Sequence, residues 1–267
     1  MRPLQFIKNR IKQLFYTVYQ KRLHRKAGQW QIPYHIGVIL DGNRRYAKEQ
    51  GFIDVTKGHD DGADKLEEVL HWCDELGVKI FSIWIFSLDN FNREKAEVTG
   101  ILNLIEKKMR SLVTIEGFHT NQIKVRPIGK IELLPPSLQE AIRAAEEATK
   151  DYDKFILNVA VAYGGREEIV EAFRSHLKSE LANGKDPAQI ADELSEDKIT
   201  PHLYTSDLPD PDLIIRTSGE IRLGGFLLWQ SAYSEYYFCD TYWPSFRKID
   251  FLRAIRDYSH RQRRFGK

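Results

Sequence analysis

The segment IGVIL, Ile36–Leu40, is followed at once by the polar residues Asp41-Gly42-Asn43. A short apolar run that ends in a turn is typical of a buried β-strand. Beyond the turn, apolar residues recur with a helical period from Ala63 to Leu76, and Gly77 is placed to end that helix. This part of the chain therefore predicts a strand followed by a helix.

The same alternation continues along the chain. Strand-like runs at Ile80–Phe86, Ile123–Ile128, Phe155–Ala162 and Leu213–Ile215 are separated by helical patterns at about 97–112, 137–149 and 167–181. Repeated strand–helix units without tandem strands predict an α/β fold with a central, mainly parallel β-sheet flanked by helices. The proline-rich region 184–211 is the longest irregular stretch, and we expect it to form a loop over the site, in which 187–194 could form a short helix.

Composition is that of an ordinary globular protein. The chain has 267 residues, 42% of them hydrophobic, which is enough for one large α/β domain or two small ones. Its two cysteines, Cys73 and Cys239, lie far apart and outside any C-x-x-C spacing, which argues against a disulfide framework or a thiolate zinc site. We therefore expect a cytoplasmic protein.

Positive charge is concentrated at the N-terminus. Residues 1–30 contain eight Lys or Arg and no Asp or Glu, and apolar residues from Leu4 to Val18 recur at helical spacing. We predict a basic amphipathic helix in 1–30, preceding a catalytic domain in 31–267. Its apolar runs are too short to span a bilayer. Its pattern of basic and apolar residues is consistent with peripheral contact with anionic lipid. Packing on its own domain or on a partner subunit fits equally, whereas a nucleic-acid arm is disfavoured.

Three strands are followed by polar clusters, DGNRRYAK after Leu40, SLDNFNRE after Phe86 and RTSGEIRLGG after Ile215. Ligands of open parallel sheets bind beyond the carboxyl ends of the strands. Arginine forks match phosphate oxygens, and an aspartate can hold the divalent cation that accompanies a diphosphate. Each cluster alone could be a turn or a surface ion pair, such as Arg222 with Glu220. No nucleotide-binding glycine motif is present, so the diphosphate is not expected on a nucleotide.

Several blocks in order carry a family resemblance. HIGVILDGNRRYAK, GHDDG, FSLDNFNR, NVAVAYGGREEIV, DLIIRTSGEIRLGGFLLWQSAYSEYYF, WPSF and RRFG resemble the cis-prenyltransferases, the undecaprenyl and dehydrodolichyl diphosphate synthases, over about residues 35–266. The resemblance implies an apolar tunnel within the α/β fold, Mg²⁺ as cofactor and a homodimer. It also implies condensation of an allylic prenyl diphosphate with isopentenyl diphosphate to a (Z)-prenyl diphosphate.

The resemblance also assigns residues. It implies that Asp41 holds Mg²⁺, with Glu235 as a metal-linked partner, and that His59, Ser87 and Asn90 join Asp41 as catalytic residues. The residues implied to contact the substrates are Gly42, Asn43, Arg44, Arg45, Phe86, Phe91, Arg93, Arg216, Arg222 and Gly224, with Arg264 and Gly266 reaching a neighbouring subunit's site. Phe86 and Phe91 could stabilise a carbocation or simply pack in the core.

Three departures from the family pattern leave alternatives open. Val55 stands where an arginine is usual, Gly224-Gly225 replaces Ser-Asn, and the block Asp89–Glu94 differs from E-N-W-x-R-P. An altered acceptor site could accept dimethylallyl diphosphate and give an irregular product. A catalytically silent partner subunit is a further alternative, although such subunits tend to lose the aspartate and the arginine motif that this chain keeps.

Overall fold

A computed structural model describes residue 16 and residues 19–261. Within this part of the chain, six parallel strands form one sheet in the order β3-β4-β2-β1-β5-β6. The strands are β1 His35–Ile39, β2 Ile80–Ser87, β3 Ile123–Ile128, β4 Phe155–Tyr163, β5 Leu213–Arg216 and β6 Glu235–Phe238. The predicted parallel sheet is confirmed. The edge strand β6 was not predicted from the sequence.

Nine α-helices connect or cover the strands in the described residues. They are α1 Asn43–Glu49, α2 Thr56–Leu76, α3 Lys95–Leu112, α4 Glu116–Thr120, α5 Pro136–Thr149, α6 Gly165–Ala182, α7 Pro187–Asp192, α8 Glu196–Ile199 and α9 Lys248–His260, and residues 19–27 are helical as well. Gly77 ends α2 in the left-handed conformation, at φ 79°, as the sequence predicted. The region 184–211 contains α7, which lies within the short helix allowed at 187–194, and α8, which was not predicted.

The main core lies between one face of the sheet and helices α2, α3, α5 and α9. Strands β1 and β4 are buried along almost their whole length, which explains their near-continuous apolar sequences. A smaller cluster around Phe226 and Leu227 covers the opposite face. An apolar cavity of 110 Å³ remains in the main core, lined by α2, α3 and the sheet. We call it the apolar cavity.

The described end of the N-terminal segment packs on the C-terminal helix. Leu23 is buried against Ile249 and Leu252 of α9, and the guanidinium of Arg253 lies 5.6 Å from the ring centre of Tyr19. The alternative in which the segment packs on its own domain therefore holds for residues 19–27, while Leu4 to Phe15 and Val18 lie outside the described residues. Among the described helices, none is long and apolar enough to cross a membrane.

Candidate active site

Asp41 and Arg216 meet where the strand order reverses. β1 has β2 on one side and β5 on the other, and Asp41 follows β1 while Arg216 ends β5. This is the position at which open α/β sheets bind ligands. Arg216 Nη2 donates to Asp41 Oδ2 at 3.0 Å, and Nη1 donates to the carbonyl of Arg222 at 2.7 Å. Arg216 is only 5% exposed, so its guanidinium is held in one orientation.

The third guanidinium nitrogen of Arg216 is a hydrogen-bond donor that is not used within the described residues. Its Nε is buried and has no hydrogen-bond partner among the described residues. An unsatisfied buried donor costs free energy unless a ligand or water completes it. The arrangement therefore favours an incoming acceptor oxygen next to Arg216.

Arg45, Arg222 and Glu220 form an ion-pair group at the mouth of the site. Glu220 pairs with Arg45 Nη1 through Oε1 and with Arg222 Nη1 through Oε2, each at 3.0 Å. Arg45 Nη2 also donates to the hydroxyl of Ser218 at 2.6 Å. Glu220 thus holds two cations near each other, and anionic ligands would find both at the same rim.

A buried carboxylate holds two further arginines. Glu97 is 8% exposed, and its Oε1 lies 3.3 Å from Arg44 Nε and 3.0 Å from Arg93 Nη1. Neighbouring His59 has its pKa lowered to about 4, first by burial and then by the charges of Arg93 and Arg44. His59 is therefore neutral near pH 7. Its Nε2 is buried without a partner in the described part of the chain, so it remains available to a ligand.

Gly58 and Gly62 have no side chains, which lets α2 approach the loop after β1 closely. A Cβ on Gly58 would lie 2.3 Å from the carbonyl oxygen of Asn43, and one on Gly62 would lie 2.4 Å from Asn43 Oδ1. Asn43 Nδ2 donates to Leu40 O at 2.8 Å, whereas Oδ1 is buried and unpaired within the described residues. The two glycines therefore set the position of Asn43 beside the site.

Ser87 and Asn90 shape the turn that follows β2. Asn90 Oδ1 accepts a hydrogen bond from the backbone N–H of Ser87 at 3.0 Å. Phe86 is 1% exposed and meets Phe91 edge to face, with 4.9 Å between ring centres. Phe86 belongs to the main core and also lines the site, whereas Phe91 is partly buried and packs against that core.

Gly224 lies against the Arg216 side chain. Its φ is +74°, and a Cβ there would lie 2.7 Å from Arg216 Nη1. A side chain at this position would therefore strain the backbone and displace the guanidinium. Trp84 is also close, at 3.6 Å from the same point, and its ring stacks on Phe226.

These groups surround one polar pocket of 610 Å³, which we call the polar pocket. The five predicted arginines that the structure describes all line it, together with Asp41, Gly42, Asn43, His59, Phe86, Ser87, Asn90 and Gly224. The polar pocket adjoins the apolar cavity, because Leu40, Asn43, His59 and Ile85 line both. A ligand with an anionic head and a hydrocarbon tail matches this pair of spaces.

One predicted site residue is elsewhere. Glu235 begins β6 and pairs in register with Leu213 of β5, which pairs with Ile36 near the start of β1. Glu235 therefore lies two strands from β1 and about 10 Å before the end of that strand. Its carboxylate pairs with Arg261 Nη1 at 2.6 Å. Glu235 therefore lies apart from Asp41 within one subunit, and its role as a metal-linked residue stays a prediction. Arg264 and Gly266 lie outside the described residues.

The sequence reasoning missed other residues of the site. Trp84 and Lys48 line the polar pocket, and Ser218 and Glu97 position arginines. Glu97 is buried, which its sequence context did not indicate. Its place four residues after Arg93, on the first turn of α3, was the available signal for a contact with that arginine.

Comparison with known proteins gives a consistent match. Residues 39–266 match a prenyltransferase family model described as "Putative undecaprenyl diphosphate synthase". An isoprenyl transferase of Deinococcus radiodurans is 49% identical over 100% of this chain and 97% of its own length. A tritrans,polycis-undecaprenyl-diphosphate synthase (geranylgeranyl-diphosphate specific) of Methanopyrus kandleri is 48% identical over 94% of this chain and 91% of its own length.

The fold is also similar to a solved structure. Lavandulyl diphosphate synthase from Lavandula x intermedia, in complex with dimethylallyl diphosphate, matches with a TM-score of 0.80 and 37% identity. The match covers 88% of this chain and 99% of that chain.

Proposed function

Since this chain belongs to the undecaprenyl diphosphate synthase family of cis-prenyltransferases, we propose that its polar pocket is the site at which two prenyl diphosphates are joined. The reaction condenses an allylic prenyl diphosphate with isopentenyl diphosphate to give a (Z)-prenyl diphosphate. The observation that carries the assignment of the site is the convergence of five arginines and Asp41 in one pocket that adjoins the apolar cavity.

The two diphosphates are assigned to different arginines. Arg44, Arg45 and Arg93, with Asn43 and the loop at Gly42, bind the allylic diphosphate, whereas Arg216 and Arg222 bind the acceptor. Arginine suits both tasks because its planar fork can donate two parallel hydrogen bonds to phosphate oxygens. Support comes from the positions of these residues around the polar pocket and from the free Nε of Arg216.

In the reaction, the allylic C1–O bond breaks, the alkene of the acceptor forms the new C–C bond, and a proton leaves the acceptor. Negative charge grows on the departing diphosphate, so fixed guanidinium donors stabilise the transition state more than the ground state. Ser87 and Asn90 lie at the same rim, and the Phe86 ring is the candidate surface for the cationic carbon. Neutral His59 can form a hydrogen bond there without adding a further positive charge.

Asp41 is the residue we assign to Mg²⁺. The described residues contain no cluster of three or more His, Cys, Asp or Glu side chains, so a cage made of protein ligands alone is not available to them. Mg²⁺ commonly takes one or two carboxylates and completes its shell with substrate phosphates and water. The partly exposed carboxylate of Asp41, at the mouth of the arginine-lined pocket, fits that mode. When bound, the ion neutralises diphosphate charge.

We also propose a homodimer. Val170, Phe173 and Leu181 recur at helical spacing on α6 and are 54%, 42% and 44% exposed. Exposed apolar side chains that share one helix face favour burial against a partner. Phe173→Asp should lower the mass measured by sedimentation equilibrium from that of a dimer to that of a monomer. A wild-type protein that sediments as a monomer would contradict the proposal.

The N-terminal segment is the proposed membrane contact. Lys21, Arg22, Arg25 and Lys26 are exposed, while Leu23 and Ala27 face the protein, so the basic side chains point away from α9. Anionic lipid attracts such a segment by about 1 kcal/mol for each basic residue near the surface. Vesicles containing phosphatidylglycerol should co-sediment with the protein, and neutral vesicles should not. Equal binding to both would refute the electrostatic contact.

The function is tested with purified protein, an allylic diphosphate, Mg²⁺ and labelled acceptor. We expect label from isopentenyl diphosphate in a longer prenyl diphosphate. The relatives with 48–49% identity support elongation, and the comparisons give no support to irregular coupling or to a silent partner subunit. Incorporation of dimethylallyl diphosphate alone would overturn this conclusion.

A further inference from the structure

Lys48 lines the polar pocket, and the proposed reaction does not use it. It lies on α1, three residues after Arg45 and four after Arg44, so the three basic side chains share one face of that helix. The side chain of Lys48 is exposed and borders the same space as the two arginines. Helical side chains lean toward the N-terminus of their helix, so Lys48 leans toward the end of α1 at which Asn43 lies.

Every described arginine that lines the polar pocket is paired with a carboxylate. Three carboxylates are shared in this way, and each contacts two arginines: Asp41 with Arg45 and Arg216, Glu97 with Arg44 and Arg93, and Glu220 with Arg45 and Arg222. The longest of these N–O separations is 3.8 Å. Such pairing holds each guanidinium in place, but it also offsets part of its positive charge, so an incoming anion has to compete with the carboxylate.

Lys48 differs from these arginines because its charge is not offset. Its ammonium group makes no ion pair or hydrogen bond with another described residue, and it is the only lysine or arginine lining the polar pocket of which this is true in the described part of the chain. Like charges one turn apart on a helix repel each other, so an anion near Arg44, Arg45 and Lys48 would relieve a local cost. A lysine ammonium is a mobile point charge with three donors, which suits contact with a phosphate that enters or leaves.

We propose that Lys48 is a further diphosphate contact, which captures the allylic diphosphate at the rim of the polar pocket and holds inorganic diphosphate there as it leaves. This inference rests on the proposed function. The allylic side is assigned because Lys48 shares its helix face with Arg44 and Arg45, which bind the allylic diphosphate in that proposal. When the allylic C1–O bond breaks, the diphosphate keeps the electron pair and becomes inorganic diphosphate. The group that leaves therefore presents the same phosphate oxygens to Lys48 as the group that entered.

The test replaces Lys48 by methionine, which removes the charge and keeps most of the side-chain length. At low ionic strength, KM for the allylic diphosphate and the inhibition constant of inorganic diphosphate should each rise about 3- to 10-fold, between the effects of an exposed ion pair and of a hydrogen bond to a charged group. The value of kcat and KM for isopentenyl diphosphate should stay within about twofold of wild type, and Lys48→Arg should behave like wild type. Titration calorimetry with inorganic diphosphate should show the same rise in Kd without turnover. Because salt screens exposed charges, the rise should shrink at about 0.5 M NaCl.

Lys57→Met is the matched control. Lys57 is also exposed, lies in the first turn of α2 with its ammonium 5.1 Å from the ring centre of Phe52, and does not line the polar pocket. Its loss removes the same charge and should leave these constants unchanged. Unchanged constants in Lys48→Met, an equal rise in Lys57→Met, or a rise confined to KM for isopentenyl diphosphate would each overturn the proposal. Failure of the proposed function itself is a separate outcome, because the wild-type protein would then incorporate no isopentenyl diphosphate.

Discussion

Replacing Arg216 by methionine should weaken binding of the acceptor diphosphate while keeping most of the side-chain volume. Arg216 donates to Asp41 and to the carbonyl of Arg222, and its buried Nε has no partner in the described chain. A hydrogen bond to a charged group contributes about 1.5–3 kcal/mol. Since 1.4 kcal/mol is tenfold in affinity, we expect KM for isopentenyl diphosphate to rise about 10- to 100-fold.

The same change affects stability by a separate route. It leaves the carbonyl of Arg222 and one oxygen of Asp41 without their donors, at a cost of roughly 1–3 kcal/mol in the free energy of unfolding. Urea unfolding measures this loss and shows whether the variant is folded under assay conditions. The kinetic comparison is made at saturating allylic diphosphate, so that only the acceptor is limiting.

Arg126→Met is the matched control. Arg126 makes two hydrogen bonds to Asp207, at 2.9 and 2.8 Å, and does not line the polar pocket. It should lose an ion pair without a change in KM. A folded Arg216→Met protein with KM within about twofold of wild type would refute the reasoning, and so would an equal rise in Arg126→Met.

Three further predictions follow from individual residues. Asp41→Ala should lower turnover at least about 100-fold while circular dichroism still reports a folded protein, and near wild-type turnover would remove Asp41 from the mechanism. Gly224→Ala should raise KM for the acceptor several-fold, because the new Cβ would displace the Arg216 side chain. Gly184→Ala is the control, since Gly184 has a similar φ of +81° but no atoms near the position of a Cβ, and it should leave KM unchanged. Equal KM values in the two variants would contradict the contact between Gly224 and Arg216. Burial lowers the pKa of His35 from 6.5 to about 4, so the unfolded chain takes up a proton at this residue before the folded protein does. His35 alone should therefore lower the free energy of unfolding by roughly 1–2 kcal/mol between pH 7 and pH 5. Urea titrations at the two pH values measure this, His35→Gln should reduce the difference, and an unchanged difference in that variant would exclude His35 as its source.

The sequence predicted the centre of the fold better than its edge. β1, β2 and β4 are long, buried and apolar, so their patterns are unambiguous. β6 is four half-buried residues, Glu235–Phe238, and its tyrosines do not alternate clearly with polar residues. Its parallel pairing with β5 is a long-range contact, which cannot be inferred from the local sequence pattern.

The candidate site likewise has a part that could be predicted from the sequence and a part that could not. The arginines could be brought together from sequence because each follows a strand, and carboxyl ends of parallel strands share one edge. Glu235 shows the limit of this reasoning, since a family motif assigned its role, whereas its position at the start of β6, away from Asp41, depends on strand register. The two ion pairs of Glu97 were not predictable in full, because Arg44 reaches it from another helix across the fold.

The most direct test is a crystal structure with an allylic thiolodiphosphate, which resists ionisation, together with isopentenyl diphosphate and Mg²⁺. We expect both diphosphates in the polar pocket, one near Asp41 and Arg44 and the other on Arg216, with the allylic tail in the apolar cavity. Diphosphates bound elsewhere, or a tail lying outside the apolar cavity, would contradict the account.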